Sequence, residues 1–100
     1  MKDKSVTMKP GTQDRLDKRR KQLLYRASHR GIKEMDIMLG GFAAGRIAEL
    51  RETELDALET LMRESDKDLL TWFTGEVMIP AQLRNSMFDA ILAYQAESVA

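Results

Sequence analysis

The chain has no cysteine and one histidine. That excludes a disulfide framework, a thiolate nucleophile, a zinc–thiolate site and a histidine-rich metal cluster, so most enzyme classes lose their usual equipment. No apolar stretch approaches the roughly 20 residues that span a bilayer, and Met1-Lys2-Asp3-Lys4-Ser5 lacks the hydrophobic core of a secretory signal. No segment sustains the period-two alternation of a half-buried strand, and no Gly-rich loop of the dinucleotide-binding kind is present. The formal net charge is zero. The expectation is a protein without membrane insertion and without a tightly bound cofactor. A bacterial cytoplasm is the expected address, ahead of a mitochondrial matrix, because Asp3, Asp14 and Asp17 and the missing amphipathic stripe before Leu16 are foreign to a transit peptide.

The charge balance conceals a polarity. Residues 1–33 hold eleven Lys/Arg against three Asp/Glu, and residues 34–100 hold five against thirteen. Such a separation can steer an anionic partner to the basic end, although a solvated helix face and a basic tail would give the same pattern.

The 100 residues make one small domain with little material to spare for its core. Residues 1–12, with Lys2, Lys4, Lys9, Pro10 and Gly11, read as a mobile basic tail, and residues 13–97 as the helical domain. A first helix is predicted from about Asp14 to His29, with Leu16, Leu23, Leu24 and Ala27 inward and Gly31 at its end. A second runs from about Ile32 to Ala48 on Met35, Met38, Leu39, Phe42 and Ile47; its Gly40-Gly41 pair costs about 2 kcal/mol of helix propensity and suggests a kink or a close crossing. Thr53-Glu54-Leu55-Asp56 reads as the cap of a third helix carrying Leu55, Leu58, Leu61 and Met62. Ser65 caps a short fourth from Asp66 to Phe73, stopped by Gly75, with Trp72 as a core anchor. Pro80 is placed in the first turn of a fifth, with Leu83, Met87, Ile91 and Tyr94 inward. The fold class is all-α, a compact bundle of about five short helices.

Function is sought at the junction of the first two helices, where Arg30-Gly31-Ile32-Lys33-Glu34 places an arginine and a glutamate around a glycine. Charges are costly to bury unless paired, and a residue without a side chain lets another surface come close. Arg30 also suits a last-turn cation on helix carbonyls, Gly31 a simple cap, and Glu34 an acid at a helix N-terminus. His29, a lone imidazole at a helix end, reads as a surface or dipole residue.

Arg30-Gly31-Ile32-Lys33-Glu34 within Leu-Leu-Tyr-Arg-x-x-x-Arg-Gly-x-x-Glu resembles the signature of the succinate dehydrogenase flavinylation factors, the SdhE proteins of bacteria and their mitochondrial counterparts. Asp66-Lys67-Asp68-Leu69-Leu70-Thr71-Trp72 is similar to the family's second block, and the two together frame roughly residues 15–95. The resemblance implies a non-enzymatic assembly factor that promotes covalent attachment of FAD to the flavoprotein subunit of succinate dehydrogenase, with fumarate reductase as a further client. It implies that the bond joins the flavin 8α-methyl carbon to a histidine of the flavoprotein, and that the FAD acted on is the partner's. Arg30, Gly31 and Glu34 would form the partner-binding surface, with Tyr25 and Arg26 at its edge, in a monomer or weak dimer. The alternatives are a nucleic-acid-binding module using Arg15, Lys18, Arg19, Arg20, Lys21 and Arg26, and a homodimeric helical adaptor joined through its oppositely charged ends.

Overall fold

A computed structural model describes residues 16–99, with side chains to Glu97; the expected tail at residues 1–12 lies outside them. Among these residues five α-helices follow one another: α1 (Lys18–Ser28), α2 (Lys33–Arg46), α3 (Glu52–Met62), α4 (Asp66–Phe73) and α5 (Ser86–Val99), with a 3-10 turn at Ile47–Glu49. No strand occurs among the described residues. The all-α bundle expected from periodicity is therefore the observed architecture.

Helix α1 starts at Asp17, whose carboxylate accepts from the Arg20 N–H at 2.9 Å. It ends before Gly31, whose φ of +104° is the left-handed conformation that other residues resist. Helices α1 and α2 pack against each other, with Gly40 of α2 seated on Ser28 of α1. Gly40 thus serves a close crossing, and α2 continues unbroken through the glycine pair. The two glycines differ sharply. A Cβ on Gly40 would lie 3.0 Å from the Ser28 Cα, whereas one on Gly41 meets nothing within 4 Å. Gly41→Ala is expected to stabilise the fold by about 1 kcal/mol through helix propensity. Gly40→Ala is expected to destabilise it by about 1–2 kcal/mol, because backbone must yield; paired thermal melts check the opposite signs.

Three helix starts differ from the sequence expectation, the first being α1, which begins at Lys18 after the extended Asp17 rather than at about Asp14. Helix α3 is entered at Arg51 rather than Thr53, because the Glu54 carboxylate, at N3, reaches back to accept from the Arg51 N–H at 2.8 Å, the one half of a capping box that an arginine at the cap allows. Pro80 does not open α5: it begins an isolated turn, with the Leu83 N–H donating to its carbonyl at 2.9 Å. Asn85 is the effective cap, its side-chain oxygen accepting from the N–H groups of Met87 and Phe88 at 2.9 and 3.1 Å while its amide donates to the Ala57 carbonyl. Leu83 consequently sits half-buried in the turn. Ser65 caps α4 as expected, accepting from the Asp68 N–H at 3.1 Å.

The core runs through all five helices: Leu23, Met35, Leu39, Ile47, Leu55, Leu58, Leu61, Leu69 and Ile91 are its largest fully enclosed side chains. Phe73 stacks on Phe88 with ring centroids 4.9 Å apart, tying α4 to α5. Trp72, expected as a core anchor, is half-buried against the cluster. Tyr94 lies across α2 at Gly45, where an added Cβ would strike its ring and hydroxyl; it meets Phe42 edge-on and carries the Arg46 guanidinium over its face at 4.8 Å.

The basic first third and the acidic remainder meet inside the domain. Arg19 reaches Glu52, Asp56 and Glu59 of α3 at 2.8, 2.6 and 3.1 Å. Arg20 donates to Asp17 at 2.7 Å, to the Ile47 carbonyl at 3.1 Å, and to the Leu50 carbonyl. These arginines thus fasten α1 to α3 and to the 3-10 turn. Three carboxyl groups are held below the usual carboxylate range: Glu59 by the Arg19 hydrogen bond, Asp17 by the Arg20 N–H and Glu54 by the Arg51 N–H. A carboxylate more acidic in the folded than in the unfolded chain stabilises at neutral pH, and that contribution disappears as pH falls through its folded pKa. Stability is therefore expected to decline on acidification through the carboxylate range. Arg19→Gln should show a shallower acid limb, read from urea unfolding at successive pH values.

Candidate functional site

The α1–α2 turn divides the residues singled out in the sequence into an inward and an outward set. Arg30 points inward, with only 12 % of its side chain exposed. Its Nε donates to Asp66 at 2.6 Å, and its Nη1 and Nη2 donate to the carbonyls of Met62 and Glu64 at 2.7 and 2.9 Å. One of those acceptors follows from helix geometry: the Met62 carbonyl closes α3, whose last carbonyls have no intrahelical partner and carry a partial negative charge, while the Glu64 carbonyl lies in the turn after it. The third opens α4. In place of a partner's carboxylate or carbonyl, the guanidinium engages those of its own chain.

The Arg30 peptide N–H donates to the carboxylate of Asp36, in the opening turns of α2. Arg30 is consequently held at both its backbone and its side-chain end. This gives the two sequence blocks a shared physical origin: Arg30 of the first and Asp66 of the second form an ion pair that joins the α1–α2 turn to the α3–α4 turn.

Gly31 and Glu34 face out. Gly31 is exposed, and a Cβ there would have nothing within 4 Å. Glu34 is exposed in the first turn of α2 and makes no hydrogen bond or ion pair with the described residues. One turn before the junction, Tyr25 is 63 % exposed and stacks on His29 with ring centroids 4.0 Å apart. The His29 Nδ1 lies 2.7 Å from the Tyr25 carbonyl, so the lone imidazole is fixed on the outer surface. Arg26 turns towards α3, with Nη1 3.6 Å from Glu59. Gly31 and Glu34 thus form the outward edge of the turn, with Tyr25 exposed on the helix before it; Arg30 lies behind that edge, and Arg26 is drawn to one side.

Asp36 and Asp66 are the residues that sequence reasoning did not assign to the site. Asp66 stood in the second block, and the co-occurrence of the two blocks was the available signal; nothing local marked Asp36. The turn, with the end of the helix before it, presents groups suited to contact with another surface. It offers a carboxylate acceptor, an aromatic stack and a bare stretch of backbone, and no group of three or more His, Cys, Asp or Glu that could hold a metal occurs among the described residues. No helix among them is long and apolar enough to cross a membrane.

The family model described as flavinator of succinate dehydrogenase matches residues 21–95. The succinate dehydrogenase assembly factor 2 of Saccharomyces cerevisiae, a mitochondrial protein, is 41 % identical over 63 residues, which cover 63 % of this chain and 39 % of that protein. The FAD assembly factor SdhE of Acetobacter pasteurianus is 33 % identical over 75 residues, covering 75 % of this chain and 69 % of that one. The assembly factor 2 of Dictyostelium discoideum is 30 % identical over 76 residues, covering 76 % of this chain and 54 % of that one. The chain therefore spans about two fifths of the length of its yeast relative. No solved structure matches.

Proposed function

This chain belongs to the succinate dehydrogenase flavinator family, and from that membership we propose that it is an assembly factor that promotes covalent attachment of FAD to the flavoprotein subunit of succinate dehydrogenase, acting without catalytic groups of its own. The observation that carries the reading is the outward edge at the α1–α2 turn. Glu34 stands exposed and, among the described residues, unpaired beside a glycine with open space above it, inside the segment that matches the family.

The factor docks this edge on the flavoprotein. Glu34 accepts from a partner arginine, lysine or amide, Gly31 lets partner backbone approach, and Tyr25 contributes apolar area at low entropic cost. Docking steadies the flavoprotein so that its flavin-accepting histidine and the flavin methyl group are held in line; orientation of that kind supplies several kcal/mol towards a barrier. FAD belongs to the partner, the flavoprotein of fumarate reductase is a further client, and the factor acts as a monomer or weak dimer.

The nucleic-acid reading loses support from the arrangement of α1. Arg19, Arg20 and Arg26 are turned to acids or carbonyls of the domain, although Arg26 stays half-exposed, leaving Lys18 and Lys21 as the cations of that helix without an ion pair among the described residues; Arg15 lies outside them. Co-purification with the flavoprotein tests the proposal. Wild type should retain the flavoprotein through a moderate-salt wash while Gly31→Arg loses it. Equal retention by both would remove the turn from the interface.

A further inference from the structure

The reading of the turn as a docking edge leaves open what keeps so short and glycine-containing a segment in one conformation. We propose that Asp66 and Asp36 are positioning residues for the docking edge: one grips the Arg30 guanidinium and the other the Arg30 peptide N–H, so that Gly31 and Glu34 are presented in one fixed geometry. This inference rests on the docking role assigned to the turn above.

The geometry is that of a two-point anchor. The guanidinium meets three acceptors supplied by residues 62–66, Asp66 Oδ1 at 2.6 Å and the carbonyls of Met62 and Glu64 at 2.7 and 2.9 Å, which fixes its plane. At its other end the Arg30 N–H is taken by Asp36. The residue that follows is Gly31 at φ +104°, which has the widest conformational choice of any residue type and no contact above it. Left unanchored, residues 30–34 would have to be ordered each time a partner binds. Fixing even one residue's backbone carries an entropy cost that translates into about a tenfold loss of affinity. Neither aspartate needs to touch the partner: Asp66 is half-buried under Arg30, and the Asp36 carboxylate points back across the turn.

The test uses the full-length factor, the flavin-free flavoprotein subunit and FAD, with covalent flavin measured after denaturation as the factor is titrated. Amide hydrogen exchange of the free factor is followed in parallel. For Asp66→Ala and Asp36→Ala, the half-saturating factor concentration should rise about tenfold, while the plateau yield stays that of wild type. The amides of residues 30–34 should exchange about tenfold faster, with α3 and α5 unchanged. Asp66→Glu, which keeps the charge, should recover most of the affinity. Measurements well below each variant's melting midpoint, normalised to the folded fraction, separate this outcome from general destabilisation.

Wild-type half-saturation together with wild-type exchange at residues 30–34 in both alanine variants would overturn the proposal. So would a shift fully accounted for by the unfolded fraction. Glu34→Arg is the reference variant: if it too behaves as wild type, the docking reading itself is lost, and if it is impaired while the aspartate variants are not, the positioning inference alone is lost.

Discussion

Arg30→Ala is expected to lower the melting midpoint by about 10–25 °C, corresponding to about 3 kcal/mol in a domain of this size. The magnitude follows from what the truncation leaves behind. Asp66, with 17 % of its side chain exposed, would lose its cation, and the carbonyls of Met62 and Glu64 would each lose a charged donor. Removing one partner of a poorly solvated pair costs more than the pair itself contributed, because the remaining groups stay partly desolvated. Arg30→Lys should recover only part of the loss, since an ammonium cannot match the planar fork that now reaches three acceptors. Circular dichroism melts of the three proteins measure this directly. A midpoint unchanged in Arg30→Ala would mean that the side chain is free in solution.

Glu34→Arg is expected to have the opposite profile: a stability change below about 1 kcal/mol and a loss of flavoprotein affinity of more than tenfold. Its carboxylate is exposed and has no partner within the described residues, so only a favourable interaction with the α2 N-terminus is forfeited. At a docked interface, a reversed charge would face the group that Glu34 accepts from, which removes an attraction and adds a repulsion. Thermal melts and equilibrium binding to the flavoprotein subunit give the two numbers. A variant that melts and binds as wild type does would show that Glu34 faces solvent in the complex. Together the two substitutions separate a structural arginine from an interfacial glutamate within one five-residue motif.

The helices were legible because their evidence is local. Leu23 and Ala27, Met35 and Leu39, and Leu55, Leu58 and Leu61 recur at helical spacing, and all are buried. Ser65 and Gly75 marked the ends of α4 by rules that need only a few neighbours. The start of α5 was misplaced because Pro80 and Asn85 both suit a helix N-terminus, and the choice between them depends on the Ala57 carbonyl of α3, which Asn85 also reaches. Arg51 does not read as a cap because the capping bond comes from Glu54, and an arginine lacks the short acceptor side chain that marks a cap in a sequence.

The site was legible as a place and not as an arrangement. Arg30, Gly31 and Glu34 could be picked out as a charged junction, but whether a charge turns inward depends on acceptors 32 to 36 residues away. The same holds for Arg19 and Arg20, which in the sequence belong to a basic stretch open to solvent and in the fold are fasteners to α3 and the 3-10 turn. Charge separation along a chain therefore does not amount to a polar surface when the two halves fold onto each other.

The central claim is that this chain promotes covalent flavin attachment through the edge at Gly31 and Glu34. It is tested most directly by in-gel flavin fluorescence of the succinate dehydrogenase flavoprotein, normalised to flavoprotein amount, in cells lacking the factor and complemented with wild type, Glu34→Arg or Gly31→Arg. The account predicts that fluorescence is lost in the deletion, restored by wild type and poorly restored by either variant at equal factor levels. Undiminished fluorescence in the deletion strain, or full restoration by both variants, would contradict it.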